Sequence, residues 1–205
     1  MYKEPRGGAS RPERRKDRSG TGTRRIYAPN ARRYNRANDK QTETDGMIRE
    51  FHQIDLSGRN SFGVGQQAAR LAEFETEEDL RTIFSGGVPE RWAVLSGGNN
   101  ILFTRDYDGL LLTPVARQIT PLGEEGDTVR VRADAGVEWD DLVEWAVERG
   151  LWGIENLSLI PGKAGAAPVQ NIGAYGCEAK DVIERVHMFC TDNRSAMVIA
   201  AGHCC

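Results

Sequence analysis

The chain has 205 residues, of which 39% are hydrophobic and 28% are charged, proportions that are ordinary for a globular protein. No segment approaches the roughly 18 consecutive apolar residues that a membrane-spanning helix requires. The first residues also lack the apolar stretch of a secretory signal, so we expect a cytoplasmic protein without a membrane partner. The four cysteines and three histidines show neither metal-ligand spacing nor a nucleophile–histidine pairing. This pattern favours free thiols and predicts neither a metal site nor a catalytic triad.

The N-terminal region differs from the rest of the chain in charge. Residues 1–46 carry 13 Lys and Arg against 6 Asp and Glu, although the whole chain has a formal net charge of −3. This region lacks periodic apolar residues and is therefore predicted to be a disordered basic extension. Clustered Lys and Arg side chains can neutralise phosphates, so a nucleic-acid-binding arm is the functional alternative. We favour an unstructured extension and expect no nucleic-acid partner.

The ordered part is predicted to begin at residue 47, where strand and helix patterns start to alternate. A capping-box pattern at Thr76 and Asp79 predicts a helix that a pair of glycines closes. The apolar run RWAVL predicts a strand that ends in a tight loop at Ser96, and DGLLLTPV predicts another strand. TVRVRADAG alternates apolar and charged residues, which indicates a strand with one solvent-facing side.

The clearest helical pattern is VEWDDLVEWAVERGLWG, residues 137–153. Gly150 supplies its C-terminal stop, and its tryptophans are expected in the core. ERVHMFC and SAMVIAA, which follow residue 183, predict two further strands. The elements together predict an α+β domain in two lobes that divide near residue 116. The apolar residues of the helix fall on one face at helical spacing, at Trp139, Leu142, Val143, Ala146 and Val147.

Two segments, Ser96–Asn100 and Ile160–Gly176, combine glycines with small polar side chains. Backbone N–H groups in such loops can form a nest for an anion such as a pyrophosphate, and absent Cβ atoms let a planar ring approach the main chain. Gln170 and Asn171 offer carbonyl and amide groups that suit the edge of a heterocycle. Structural turns are the alternative interpretation. The P-loop and G-x-G-x-x-G patterns are both absent here, so any nucleotide cofactor requires a different architecture.

Four stretches of the sequence carry a resemblance to a known family. They are NSFGV at 60–64, LSGGNNILFTRDYDGLLL at 95–112, ADAGVEWDDLVEWAVERGLWGIENLSLIPGKAGAAPVQNIGAYG at 133–176 and EAKDVIERV at 178–186. In this order they resemble the UDP-N-acetylenolpyruvoylglucosamine reductases. The resemblance covers residues 47–205 and is most specific at 154–176, whereas the first 46 residues match nothing in that family.

The resemblance implies a fold and a cofactor. The fold is a two-lobed α+β FAD-binding domain of the vanillyl-alcohol-oxidase type, expected to be truncated before the substrate domain. The lobes are expected at residues 47–115 and 116–205, the second incomplete at its C-terminus. By position, the family's pyrophosphate loop corresponds to Ser96, Gly97, Gly98, Asn99 and Asn100. Its second flavin-contacting stretch corresponds to Pro161, Gly162, Gly165, Ala166, Pro168, Gln170, Asn171, Gly173, Ala174, Tyr175 and Gly176.

The resemblance also implies a reaction. Members use NADPH to reduce the flavin, which passes a hydride to UDP-N-acetylglucosamine enolpyruvate and so gives UDP-N-acetylmuramate for peptidoglycan. The serine, arginine and glutamate that complete this chemistry are expected beyond residue 205, so no catalytic residue is named here. We expect a monomer that binds FAD but, as residues 1–205 alone, does not turn over substrate. The alternatives are another FAD-linked oxidoreductase of the same superfamily, or a non-catalytic fragment with a basic binding arm.

Overall fold

The computed structural model describes residues 40–43 and 48–200. Most of the predicted basic extension lies outside these residues, as do Cys204 and Cys205. Residues 40–43 form a strand, so the prediction that all of residues 1–46 are disordered is wrong there. This strand pairs with Arg49–Asp55 through its backbone, and backbone pairing requires no periodic apolar pattern in the sequence.

Strands and helices alternate along the described residues. The strands are β1 Lys40–Glu43, β2 Arg49–Asp55, β3 Gln67–Phe74, β4 Trp92–Val94, β5 Tyr107–Pro114, β6 Ile119–Glu125, β7 Thr128–Ala133, β8 Gly173–Ala174, β9 Cys177–Glu178, β10 Arg185–Cys190 and β11 Ser195–Ala200. The α-helices are α1 Glu77–Ile83, α2 Trp139–Glu148 and α3 Ala167–Gln170. Single turns of 3-10 helix cover Glu155–Leu157, Ala164–Ala166 and Ala179–Asp181. This mixed content agrees with the predicted α+β class.

The largest sheet has five strands in the order β1-β2-β3-β5-β4. β1, β2 and β3 pair antiparallel, whereas β5 runs parallel to both β3 and β4. Leu111 of β5 packs in one hydrophobic cluster with Leu71. Leu110 and Leu112 alternate with it along the strand and pack in a second cluster with Phe84. A parallel strand that is buried on both faces carries a continuous apolar run, which is why the sequence predicts β5 correctly.

Helix α1 begins as the sequence predicts. The Thr76 hydroxyl accepts a hydrogen bond from the Asp79 N–H at 3.1 Å, and the Asp79 carboxylate accepts one from the Thr76 N–H at 2.9 Å. Phe84, directly after the helix, stacks on Phe189 of β10 with ring centroids 6.0 Å apart. The two predicted strands, β10 and β11, pair as a hairpin that therefore packs against the second hydrophobic cluster.

Helix α2 carries a third hydrophobic cluster. Trp139 and Val143 are buried there together with Leu157 and Ala167. The Trp139 indole N–H also donates a hydrogen bond to the Leu157 carbonyl at 2.9 Å. The start of α2 is thus fixed against the chain that leads into the glycine-rich segment.

Two details of the α2 prediction are wrong. Val147, expected in the apolar stripe, is 53% exposed, and Trp152, expected in the core, is 87% exposed. The third cluster lies beside the first turns of α2, so its members do not cover the last turn or the residues that follow. The described residues belong to one compact unit, and the division into two lobes near residue 116 stays a prediction.

Candidate functional site

The first glycine-containing loop, Ser96–Asn100, follows strand β4. The Ser61 N–H donates a hydrogen bond to the Gly98 carbonyl at 3.0 Å, and the Ser61 hydroxyl donates one to the Asn99 amide oxygen at 2.6 Å. Asn60 is buried and fixes the turn that presents Ser61, because its side-chain amide donates to two backbone carbonyls at 2.6 and 3.2 Å. The NSFGV stretch therefore holds the loop in place through the two hydrogen bonds of Ser61.

The second glycine-containing segment is positioned by the start of helix α2. The Trp139 N–H donates a hydrogen bond to the Gly162 carbonyl at 2.9 Å. The carboxylate of the next residue, Asp140, accepts a hydrogen bond from the Leu159 N–H at 2.8 Å. Asp140 lies in the first turn of α2 and thus holds the chain that leads into this segment.

Two glycines of these segments are required by contacts within the protein. Gly98 has a φ of +67°, and a Cβ there would lie 2.0 Å from the Arg59 carbonyl oxygen. A Cβ at Gly165 would lie 2.6 Å from the Cβ of Ala135. Close packing between chain segments therefore accounts for part of the glycine pattern, in line with the structural alternative.

The two segments meet at one cavity of about 310 Å³, which we call the loop cavity. They approach each other closely, because a Cβ on Gly97 would lie 3.3 Å from the Gly162 Cα. Phe74, Trp139 and Ile172 add apolar walls. Contact of this cavity with a cofactor stays a prediction. The predicted residues that line it are Ser96, Gly97, Gly98, Asn99, Asn100, Pro161, Gly162, Gly165, Ala166 and Gln170.

The remaining predicted residues do not line the loop cavity. The Asn171 side chain instead donates a hydrogen bond to the Glu178 carboxylate at 3.2 Å and accepts one from the Lys180 N–H at 3.1 Å. Tyr175 is 92% exposed in the turn between β8 and β9. A cofactor-binding role stays a prediction for this group, which consists of Pro168, Asn171, Gly173, Ala174, Tyr175 and Gly176.

A second cavity of about 390 Å³, the charged cavity, adjoins the same two segments. Three cationic side chains, Arg59, Arg117 and Lys163, line it together with the carboxylate of Glu138. Lys163 is only 8% exposed, and its ammonium group donates a hydrogen bond to the Pro114 carbonyl at 3.1 Å. Lys163 also lines the loop cavity, so the two cavities share this side chain.

Two buried hydroxyls face the same region. Ser96 Oγ and Thr113 Oγ1 have no hydrogen-bond partner among the residues that the structure describes, and both residues line the charged cavity. Buried polar atoms are normally paired, so unpaired hydroxyls beside a cavity indicate a place where a ligand can supply the missing acceptor.

Sequence reasoning missed most residues of the charged cavity. Arg59, Thr113 and Arg117 lie outside the stretches that carry the resemblance, and Glu138 lies inside one of them without being singled out, so only the folded chain brings these four together. Lys163 is the exception, because it stands inside the stretch PGKAGAAP that the sequence singles out. A lysine among glycines and alanines was thus the sequence feature that could have pointed to a cation in this cavity.

The residues present suit a dinucleotide such as FAD. The loop cavity offers apolar walls that a flat ring system can contact, and the charged cavity offers cations and unpaired hydroxyls that a diphosphate can engage. Within residues 40–43 and 48–200, no group of three His, Cys, Asp or Glu side chains is placed to hold a metal ion. No helix in this part of the chain is long and apolar enough to cross a membrane.

The α+β fold with two converging loops is the architecture that the resemblance predicts for a domain of the flavoprotein class. The sequence profile of the FAD binding domain family matches residues 68–194, and the chain belongs to this family.

Relatives with known names support a more specific resemblance. A UDP-N-acetylenolpyruvoylglucosamine reductase of Bacteroides fragilis is 46% identical over 132 residues, which cover 64% of this chain and 40% of that protein. The reductase of Pseudomonas aeruginosa is 46% identical over 133 residues, or 63% of this chain and 39% of that protein. The reductase of Neisseria gonorrhoeae is 41% identical over 155 residues, which cover 75% of this chain and 45% of that protein. The chain thus spans less than half the length of these relatives, and the resemblance seen in its sequence is confirmed.

A solved structure supports the fold. The crystal structure of the UDP-N-acetylenolpyruvylglucosamine reductase from Thermus caldophilus superposes with a TM-score of 0.59 at 23% identity. The match covers 76% of this chain and 53% of that chain. At this identity the likeness establishes the fold alone, and it confirms the predicted fold class.

Proposed function

We propose that this chain is the FAD-binding part of a UDP-N-acetylenolpyruvoylglucosamine reductase, the enzyme that forms UDP-N-acetylmuramate for bacterial peptidoglycan. The observation that carries the proposal is the loop cavity, which Ser96–Asn100 and the segment from Pro161 to Gln170 line together. Relatives that bear this name and are 46% identical over 132 residues support the choice of reaction.

The two cavities divide the task of holding FAD. Backbone N–H groups of Gly97, Gly98 and Asn99 are suited to the diphosphate, because such a loop presents several donors at once. Ala166 and Gln170 border the space for the ring system, where small side chains and an amide leave room and supply hydrogen-bonding groups. When FAD is bound, its ring supplies the hydride-transfer chemistry of the reaction.

The proposed reaction also requires a hydride donor and an acceptor. NADPH is the proposed hydride donor, and UDP-N-acetylglucosamine enolpyruvate is the proposed acceptor, whose double bond gains the hydride and one proton. The resemblance implies further catalytic groups that these 205 residues do not include, so we propose that residues 1–205 alone do not turn over substrate. We also propose that the protein is a monomer and acts in the cytoplasm.

The first experiment tests cofactor binding. Purified chain is titrated with FAD, and quenching of flavin fluorescence gives the dissociation constant. We expect saturable binding by the wild type and strong weakening in Ala166→Trp, which places an indole on the lining of the loop cavity. Ala196→Trp introduces the same indole at an exposed position of β11 and is expected to bind FAD like the wild type. Absence of saturable binding by the wild type would overturn the proposal.

The second experiment tests the reaction. The matching 132-residue segment of the Bacteroides fragilis reductase is replaced by the corresponding residues of this chain. We expect the chimera to oxidise NADPH in the presence of the enolpyruvyl substrate, and the same chimera with Ala166→Trp to lose that activity. A chimera that binds FAD without reducing this substrate would favour another flavin oxidoreductase instead.

A further inference from the structure

The charged cavity holds more positive than negative charge. Lys163 is its buried cation, Arg59 is half-buried, and Arg117 adds a third that pairs loosely with Glu138 at 3.9 Å. Arg59 lies 3.5 Å from the Glu73 carboxylate, which also pairs with a second arginine. Among the side chains that line the cavity, the three cations outnumber the one carboxylate.

Lys163 is the cation with the least compensation. Its ammonium group has three N–H donors, and one of them is used by the Pro114 carbonyl. The structure gives Lys163 no ion pair with any of the described residues. A buried ammonium without a carboxylate partner is unfavourable, and an anion in the cavity would offset that cost.

Ser96 and Thr113 add the second, independent observation. Both hydroxyls are buried, they belong to residues that line the charged cavity, and they have no partner within the described part of the chain. Together with the ammonium they form a set of donors, so the missing ligand must be rich in acceptors. A phosphate group meets this requirement, because each of its oxygens accepts hydrogen bonds and carries negative charge.

We propose that the charged cavity is a phosphate-binding site in which Lys163 is the principal cation and the hydroxyls of Ser96 and Thr113 are donors. Two sources share this chemistry. One is the diphosphate of FAD, an assignment that rests on the proposed function. The other is free inorganic phosphate or pyrophosphate, which does not.

The first arm of the test uses pyrophosphate and the flavin-free chain. Calorimetric titration gives the dissociation constant, with sodium chloride at the same ionic strength as the control for screening. Lys163→Met is expected to weaken binding about tenfold or more, since it removes a hydrogen bond between charged groups. Lys163→Arg keeps the charge and is expected to stay within about threefold of the wild type. Lys180→Met removes a lysine outside both cavities and should leave binding unchanged.

Thr113→Val keeps the proposal testable if Lys163→Met fails to fold. Valine has the shape of threonine without the hydroxyl, so the buried site stays filled. We expect pyrophosphate binding to weaken severalfold in this variant with little change in the thermal midpoint. Wild-type affinity in both Lys163→Met and Thr113→Val, or no phosphate-dependent binding in any form, would overturn the proposal.

The second arm compares FAD with riboflavin, which has the same ring system and no phosphate. If the cavity holds the diphosphate, Lys163→Met weakens FAD about tenfold and weakens riboflavin much less, although Lys163 also lines the loop cavity. If only pyrophosphate responds, the site serves a free phosphate. If the wild type binds neither FAD nor riboflavin, the proposed function is contradicted. The titration with pyrophosphate then still shows whether the charged cavity binds phosphate.

The pH dependence gives a further readout. Burial lowers the pKa of Lys163; the Glu138 carboxylate opposes this shift, the Arg117 guanidinium adds to it, Glu73 opposes it and Arg59 adds to it. Phosphate binds the charged amine, so affinity should fall as pH rises through the pKa of Lys163. Arginine stays charged over this pH range, and protonation of the ligand affects both proteins equally. The ratio of the affinities of wild type and Lys163→Arg therefore reports the charge of Lys163 alone. A ratio that does not change with pH would contradict a role for the Lys163 charge.

Discussion

The loop residues around the cavities are constrained for different reasons, and Gly98 shows the strongest constraint. Its φ of +67° favours glycine, and a Cβ there would lie 2.0 Å from the Arg59 carbonyl oxygen. This oxygen belongs to the backbone, so a change of side-chain rotamer cannot relieve the clash. We expect Gly98→Ala to lower the free energy of unfolding by at least about 2 kcal/mol, because strain and overpacking add. Urea unfolding measures this value.

The matched control for Gly98 is Gly86. A Cβ at Gly86 would meet nothing within 4 Å. Gly86→Ala should therefore change the free energy of unfolding by no more than about 0.5 kcal/mol. Equal midpoints for Gly98→Ala and Gly86→Ala would contradict the close approach between the first loop and the segment that contains Arg59.

A second prediction at this scale concerns Glu178. The Lys180 side chain, which hydrogen-bonds to its carboxylate, and then the Asn171 amide hold the pKa of Glu178 below its ordinary value of 4.5. A depressed carboxyl pKa stabilises the fold above the unfolded pKa, and this contribution is lost as pH falls through the folded value. NMR titration should show Glu178 protonating below 4.5 in the wild type and closer to 4.5 in Lys180→Met. Lys180→Arg is the control, and it should keep the low pKa.

The residue scale also shows where sequence reasoning reached its limit. Asn99 and Asn171 look alike in the sequence, since both stand among glycines and small residues. The structure separates them, because Asn99 lines both cavities whereas the Asn171 amide is engaged by Glu178 and Lys180. Partners that approach from another part of the fold decide this difference, and no local pattern records them.

Among the elements, α1 depends on its cap. Thr76 and Asp79 exchange two hydrogen bonds, at 3.1 and 2.9 Å, which satisfy donors at the start of a helix of only two turns. Thr76→Ala should therefore lower the free energy of unfolding by about 1 kcal/mol. Thr76→Ser keeps the hydroxyl oxygen and should remain close to the wild type. A loss in Thr76→Ser as large as in Thr76→Ala would show that the methyl group and not the cap matters.

Elements with local signals could be predicted, and elements that depend on distant partners could not. The cap of α1, the apolar run of β5 and the alternation of β7 are all properties of neighbouring residues. The parallel register between β3 and β5 joins residues about forty positions apart, so periodicity gives no access to it. The short β8–β9 hairpin lies inside a segment of glycines and alanines, where no alternation exists to be recognised.

At the scale of the whole molecule, the two cavities lie where the large sheet meets the third hydrophobic cluster. Phe74 comes from β3, Trp139 comes from α2, and both line the loop cavity. The resemblance assigns both glycine-containing segments to one cofactor and so leads us to expect them close together. It does not predict Arg59 or Arg117 at the same place, because an isolated arginine in a polar stretch looks like any solvated charge.

This arrangement predicts that FAD stabilises both sides of the cavity together. A ligand that binds only the folded chain adds about 2.7 kcal/mol at a free concentration of one hundred times its dissociation constant. We expect the thermal midpoint to rise with FAD, and hydrogen exchange to slow both at Leu111 in the sheet and at Val143 in α2. Both residues are buried in clusters whose members line or adjoin the loop cavity.

Ala166→Trp is the control for that experiment, since it should abolish the FAD-dependent shift while Ala196→Trp retains it. Protection confined to Leu111 would mean that FAD contacts the first loop alone, and protection confined to Val143 would mean that it contacts only the segment that follows α2. Either result would contradict a shared cavity. Slowing at both positions by the same free energy is expected if neither side opens without release of FAD.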